Sequence, residues 1–264
     1  MQNVKNIIMR AASSVAVVLA LGSGAQAQEI PSTEFAGFLE ALTAAGSPPK
    51  NVYLPGISLA TVAPGGTGFA SATLMNPRGG TRGLGWDGST SFGLGFGDAA
   101  AGVGVSAQIN VTGTQPFGTD GDFSLRFSRQ VGLSTYVGLG VNRLGGWGNN
   151  ARIDPNAELM VTHFTSFGSG AGFTPVMVTL GVSSVGADNQ ADPGAFGGIG
   201  FGLSENVGFG VSVKNGGLNA GFGVTVPSVK GLSLTADVSN INTVSLGSDR
   251  IFSFGVHYAF SDLF

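Results

Sequence analysis

The chain has no cysteine, so disulfide frameworks and thiolate metal sites are excluded. Charge is scarce too. Asp, Glu, Lys and Arg make up 10% of the 264 residues, against about a quarter in an ordinary soluble domain. There are two histidines, His163 and His257, and neither sits in a metal-binding spacing. Long apolar runs are missing as well. A membrane-spanning helix needs about 18 apolar residues, and the longest run, at the start of the chain, falls short. A chain poor in charge and without membrane helices leaves two classes. One is a membrane β-barrel, the other a glycine-rich β protein that assembles.

What the chain has in abundance is glycine, 46 residues, with a mean hydropathy of +0.30. Its first residues, MQNVKNIIMR, carry Lys5 and Arg10. An apolar core comes next, from Ala11 to Gly22, then the small-residue site Ala25-Gln26-Ala27. This order predicts a secretory signal peptide over residues 1–27. The whole chain has 12 basic and 15 acidic residues. Without Lys5 and Arg10, the mature chain has 12 − 2 = 10 basic residues and a net charge of −5. No basic patch points to nucleic acid.

Residues 28–66 read differently from the rest of the mature chain. Phe35, Phe38, Leu39 and Leu42 share one helical face. Pro31-Ser32-Thr33 offers a start and Gly46-Ser47-Pro48-Pro49 a stop. The pattern predicts a short amphipathic helix, either a periplasmic leader or a plug folded into a lumen. From about Thr67 onward the period is 2. Leu84, Trp86, Phe92, Leu94 and Phe96 form one apolar set; Val207, Phe209, Val211 and Val213 form another. Gly, Ser, Thr, Asn and Gln lie opposite, so one face of each strand is apolar and the other small and polar. The alternation predicts about twelve strands, including weaker ones near 67–76 and 156–167. The expected fold is all-β, an antiparallel up-and-down transmembrane barrel over 67–264.

Connection lengths alternate. Longer polar links are expected near 77–82, 113–121, 145–156, 186–194 and 240–249. Shorter ones fall near 97–101, 130–134, 168–172, 204–206 and 227–231. Asn215-Gly216-Gly217 is a tight turn in a long slot. Outer-membrane barrels have short periplasmic turns and longer outer loops, which places both termini of a twelve-stranded barrel on the periplasmic side.

The last residues, FSFGVHYAFSDLF, place Phe252, Phe254, Val256, Tyr258 and Phe260 on one parity. They resemble the terminal strand of bacterial, porin-like outer-membrane β-barrels, which ends on an aromatic residue. Asp262 departs from that pattern. The resemblance implies recognition by the barrel assembly machinery through the strand ending at Phe264. It also implies a location in the outer membrane of a Gram-negative envelope. Stretches such as WDGSTSFGLGFGD, GDFSLRFSRQV and VGLGVNRLGGWG are similar to uncharacterised glycine-rich outer-membrane proteins of cyanobacteria, a group that implies no activity. Trp86, Tyr258 and Phe264 fit interfacial aromatic girdles. Arg78, Arg82, Arg143 and Arg152 fall near outer loops, where lipopolysaccharide is the expected anionic partner.

Catalytic and cofactor patterns are thin. His163 and Ser166 are three apart on a strand and point to opposite faces. His257, Ser253 and Asp237 share the inner parity on neighbouring strands, a conceivable but weak catalytic set. Asp188 and Asp192 in GADNQADPG read as a solvated turn before a calcium loop. Glycines in GFGDAAAG and GGIGFGLSE lack the adjoining helix that a phosphate loop requires. They read better as an inner wall that coils tightly, or leaves room for water or a plug. No cofactor is expected.

The inner-parity charges are the candidate functional residues: Asp87, Asp122, Arg126, Lys214, Asp237 and His257. A cation facing lipid costs about 2–4 kcal/mol at midplane, so these face inward. Two readings stand, a polar pore lining and a salt-bridged network in a closed barrel. The leading functional expectation is a small passive diffusion pore for ions or small solutes. Its rivals are a non-conducting structural or interaction barrel and a secreted self-assembling β protein.

Overall fold

The structure is a computed structural model that describes residues 52–76, 87–114, 117–167, 174–184, 193–242, 250–261 and 263. Twelve antiparallel strands close into one barrel. In chain order they are β1 (Gly68–Met75), β2 (Asp87–Gly97), β3 (Gly104–Thr114), β4 (Phe117–Gly132), β5 (Thr135–Trp147) and β6 (Asn156–Phe167). Then come β7 (Thr174–Ser183), β8 (Gly194–Gly202), β9 (Val207–Lys214), β10 (Gly217–Thr225), β11 (Leu232–Ser239) and β12 (Ile251–Phe260). Each strand pairs with its sequence neighbours, and β1 pairs with β12 from Gly68↔Phe260 to Met75↔Ser253. Closure removes both sheet edges, so every strand finds ladder partners on both sides.

The expected parity holds around the wall. Phe92, Leu94, Phe123, Leu180, Phe222, Phe254 and Val256 are exposed on the outer face. Their strand neighbours point inward and are small or polar. The predicted loop alternation holds in part. Residues 76–86, 184–193 and 240–250 connect strands at one end, 203–206 and 226–231 at the other. The link expected over 113–121 is a correction. β3 reaches Thr114 and β4 begins at Phe117, so most of it is a strand extension that shares the ladder Thr112↔Asp120. Its Thr, Asp and Gly residues suit a loop by composition, but pairing with β3 and β5 overrides that preference. The tight turn at Asn215-Gly216 is present, with φ of 52° and 84°, the left-handed pair that a two-residue hairpin demands.

Residues 52–66 are not part of the wall. They lie inside it. Inward-facing Gly200 and Gly210 approach the Tyr53 carbonyl so closely that a Cβ at either would clash with it. Gly223 faces the Tyr53 ring, Gly138 faces Ala60, and Gly95 faces the Ala63 and Pro64 carbonyls. These contacts trace a loop. Val52 and Tyr53 sit beside Gly200, near the short-connection end of β8. Gly56 meets Asn219 and Ser58 meets Glu158, toward the opposite end. The chain then descends through Ala60 at Gly138, Val62 at Gly104 and Gly65 at Gly97 to the start of β1. The predicted helix over 28–50 lies outside the described residues.

Candidate functional site

The luminal loop divides the interior. One side is dry. β6 turns Met160 and Phe164 inward, β7 turns Met177 and β8 turns Phe196. All four are buried, and Ala60, Met160 and Phe196 form one apolar cluster with Ile57 and Tyr136 against it. Tyr136 meets Phe164 edge-on at 6.0 Å between centroids. Polar groups here are paired. Ala60 N donates to Thr162 Oγ1 at 2.9 Å, and Thr162 shares a 2.9 Å bond with Thr179. Ser212 Oγ donates to the Pro55 carbonyl at 2.6 Å and accepts from Asn219 Nδ2 at 3.0 Å.

The loop's apex grips a charged cluster. Ser58 Oγ donates to Glu158 Oε2 at 2.6 Å, and Lys214 Nζ lies 3.3 Å from Glu158 Oε1. Glu158 is 1% exposed and Lys214 33%. Lys214 Nζ also sits 5.5 Å from the centroid of the Phe196 ring. Arg126 Nη2 donates to Ser58 Oγ at 3.4 Å. A Cβ placed on Gly140 would lie 3.8 Å from both Arg126 Nε and Glu158 Oε2, so the three residues share one corner of the lumen. Arg126 Nε is shielded from solvent with no hydrogen-bond partner among the described residues. Two cations therefore face one carboxylate at this corner.

The other side of the lumen is polar. Ser71 and Ser91 bond at 2.5 Å across β1 and β2. Gln108 bonds Asn110, and Asn110 Nδ2 donates to Asp122 Oδ1 at 2.7 Å and to Ser124 Oγ at 3.0 Å. Asn150 Nδ2 donates to Asp122 Oδ2 at 3.0 Å. A cavity of about 320 Å³ lies between the loop's returning limb and this wall. Arg126, Gln108, Ser124 and Asn142 line it with polar groups, and Val62, Pro64 and Phe69 with apolar ones.

The candidate residues are thus scattered over the lumen rather than gathered. Asp122 is held by two amides, and Arg126 and Lys214 flank Glu158. Asp237 accepts from Tyr53 OH at 2.5 Å. His257 Nε2 bonds Thr235 Oγ1 at 3.1 Å. Asp237 pairs with Ser253 across the ladder while His257 pairs with Ser233, two inward positions away along β12. The conceivable His257–Asp237 set thus has its partners elsewhere. The side chain of Asp87 lies outside the described residues, as do Arg78, Arg82, Trp86, Asp188, Asp192, Asp262 and Phe264. His163 is exposed on the outer face, bonding Thr135 Oγ1 through Nδ1 at 2.9 Å. Sequence reasoning missed Tyr53, Ser58 and Glu158. The parity Asn156, Glu158, Met160, Thr162 marks Glu158 as inward, but apolar Met160 and Phe164 on that parity blur the alternation.

Among solved structures, a KdgM porin in complex with disordered oligogalacturonate aligns with 74% of this chain and 99% of its own length. Its identity is 10% and its TM-score 0.47. An outer membrane channel from Pseudomonas putida F1 aligns with 81% of this chain and 99% of its own, at 7% identity and a TM-score of 0.47. No family model and no curated protein matches the chain.

Proposed function

We propose that this chain is an outer-membrane barrel acting as a narrow passive diffusion pore for ions or small solutes. The observation that carries this reading is the half-filled lumen. A closed wall with an apolar exterior encloses a loop that packs one side and leaves a cavity of about 320 Å³ on the other, where Gln108, Ser124, Arg126 and Asn142 supply polar groups. Side chains fill an eight-stranded barrel, while sixteen strands leave an open channel. Twelve strands with an inserted loop fall between. In this reading Asp87, Asp122, Arg126, Lys214, Asp237 and His257 line or border the passage, and residues 52–66 set its bore. The apolar belt meets lipid and the short connections face the periplasm, with both termini there. The strand ending at Phe264 is read by the assembly machinery, and Arg143 and Arg152 face lipopolysaccharide. No catalytic step is assigned.

The test is single-channel conductance in planar bilayers, for the chain from residue 28 and for a variant that begins at residue 65. Folding of each is checked by heat-modifiable gel mobility. A small steady conductance that rises several-fold in the shortened variant is expected. Silence from both folded barrels overturns the pore reading and leaves a structural barrel.

A further inference from the structure

We infer that the cavity beside Arg126 is a binding site for a small organic anion, one carboxylate on a compact apolar body. The inference deepens the diffusion-pore reading, on which it rests for how the anion passes through the barrel.

Three observations converge. The first is charge. Arg126 and Lys214 share Glu158. Glu158 is already engaged by Lys214 and by Ser58. Of the carboxylates of the same parity on Arg126's own strand, Asp122 is held by Asn110 and Asn150 and Asp120 by Asn149. One positive charge at this corner is therefore left without a dedicated counter-charge among the described residues.

The second is hydrogen bonding. Buried donors are paired in nearly all folded structures, and an exception asks for an explanation. Arg126 makes one long bond, to Ser58, and its Nε has no partner among the described residues. A guanidinium presents five donors in a rigid fork suited to a carboxylate. Arg126 is thus well short of its capacity.

The third is shape. The cavity of about 320 Å³ is large enough for a ligand of several heavy atoms, within the lower range of small-molecule sites. Its apolar lining comes from Val62, Pro64 and Phe69, and its polar lining from Arg126, Gln108, Ser124 and Asn142. An inorganic anion would leave the apolar surfaces unused. An apolar solute would leave the cation unpaired. A carboxylate with a small ring or branched chain satisfies both.

The probe is benzoate, with the chain from residue 28 refolded in detergent micelles and also inserted in planar bilayers. Calorimetric titration reads binding, and the reversal potential under a potassium chloride gradient reads ion preference. R126Q is expected to weaken benzoate binding about tenfold or more, since it removes a charge-assisted bidentate contact. R126K should keep part of it. S124L keeps the charge but fills the cavity, and should weaken binding as strongly. If R126Q does not fold, S124L decides. Benzoate binding unchanged in R126Q or S124L overturns the inference. Conductance without benzoate binding overturns it too, and leaves the pore reading intact. Binding that depends on Arg126 in a barrel that never conducts supports the site and removes the pore reading. A folded barrel that neither binds benzoate nor conducts overturns both.

Discussion

The two sides of the lumen are built from opposite materials. Between β5 and β10 the inner wall carries Met160, Phe164, Met177 and Phe196 with glycines between them, and the loop of residues 52–66 packs into it. Between β12 and β4 the inner wall carries Ser71, Ser91, Gln108, Asn110, Ser124 and His257. The first side buries apolar surface against the loop. The second exposes hydroxyls and amides to a cavity. A single strand period produces both, because period 2 fixes only which face a residue takes. What stands on the inner face decides whether that sector of the barrel is core or passage.

The comparison breaks most readily on the packed side. Met160→Ala removes a fully buried side chain from beneath the loop and should cost about 2–5 kcal/mol, read as a lowered urea midpoint of the refolded barrel. Gly200→Val sets a side chain against the Tyr53 carbonyl. It should cost about 1–3 kcal/mol and raise single-channel conductance, because the loop is pushed off its wall. Tyr53→Phe leaves Asp237 without its phenol donor, and a loss of about 1 kcal/mol is expected by the same urea titration. On the polar side the expectation inverts. Ser91→Leu should move the unfolding free energy by less than about 0.5 kcal/mol, yet lower the conductance. If Ser91→Leu destabilised the barrel as much as Met160→Ala, the two sides would not be different materials.

The wall was legible in the sequence because outward residues obey one rule all the way round. Phe92, Leu94 and Phe96 on β2 and Phe252, Phe254 and Val256 on β12 repeat the same alternation, so the existence and facing of these strands can be read directly. The β3–β4 link misled because Gly113, Thr114, Gly118 and Thr119 are loop-like in composition, while pairing between long neighbours decided the outcome. The luminal loop was legible only by its imprint. NVYLPGISLATVAPGG has no period, since its residues fit individual gaps rather than a repeating surface. The gaps themselves are written on the wall as inward glycines, Gly198, Gly200, Gly210 and Gly223. Their excess pointed to space, and the plug alternative placed its filler in the helix before residue 51 rather than in the aperiodic residues 52–66 that touch these glycines. Glu158 went unread for a related reason. It lies on an inward parity where apolar Met160 and Phe164 are mixed with polar Asn156 and Thr162, and its partners Ser58 and Lys214 are far away in sequence.

The route of residues 52–66 has a topological consequence. Both described ends of the loop lie toward the short-connection end, at Val52 beside Gly200 and at Gly65 beside Gly97, while its turn at Gly56–Ser58 reaches the far side. The loop of residues 52–66 thus begins and ends toward the same mouth. The contacts that hold its apex are side-chain bonds at Glu158, Thr162 and Ser212, and none belongs to the ladders of the wall. The β1–β12 seam, which joins the most distant strands of the chain, can therefore be closed before the loop is seated or after it. Withdrawal of the apex breaks no strand pairing, so the order of assembly does not dictate the final state and the step is reversible in principle.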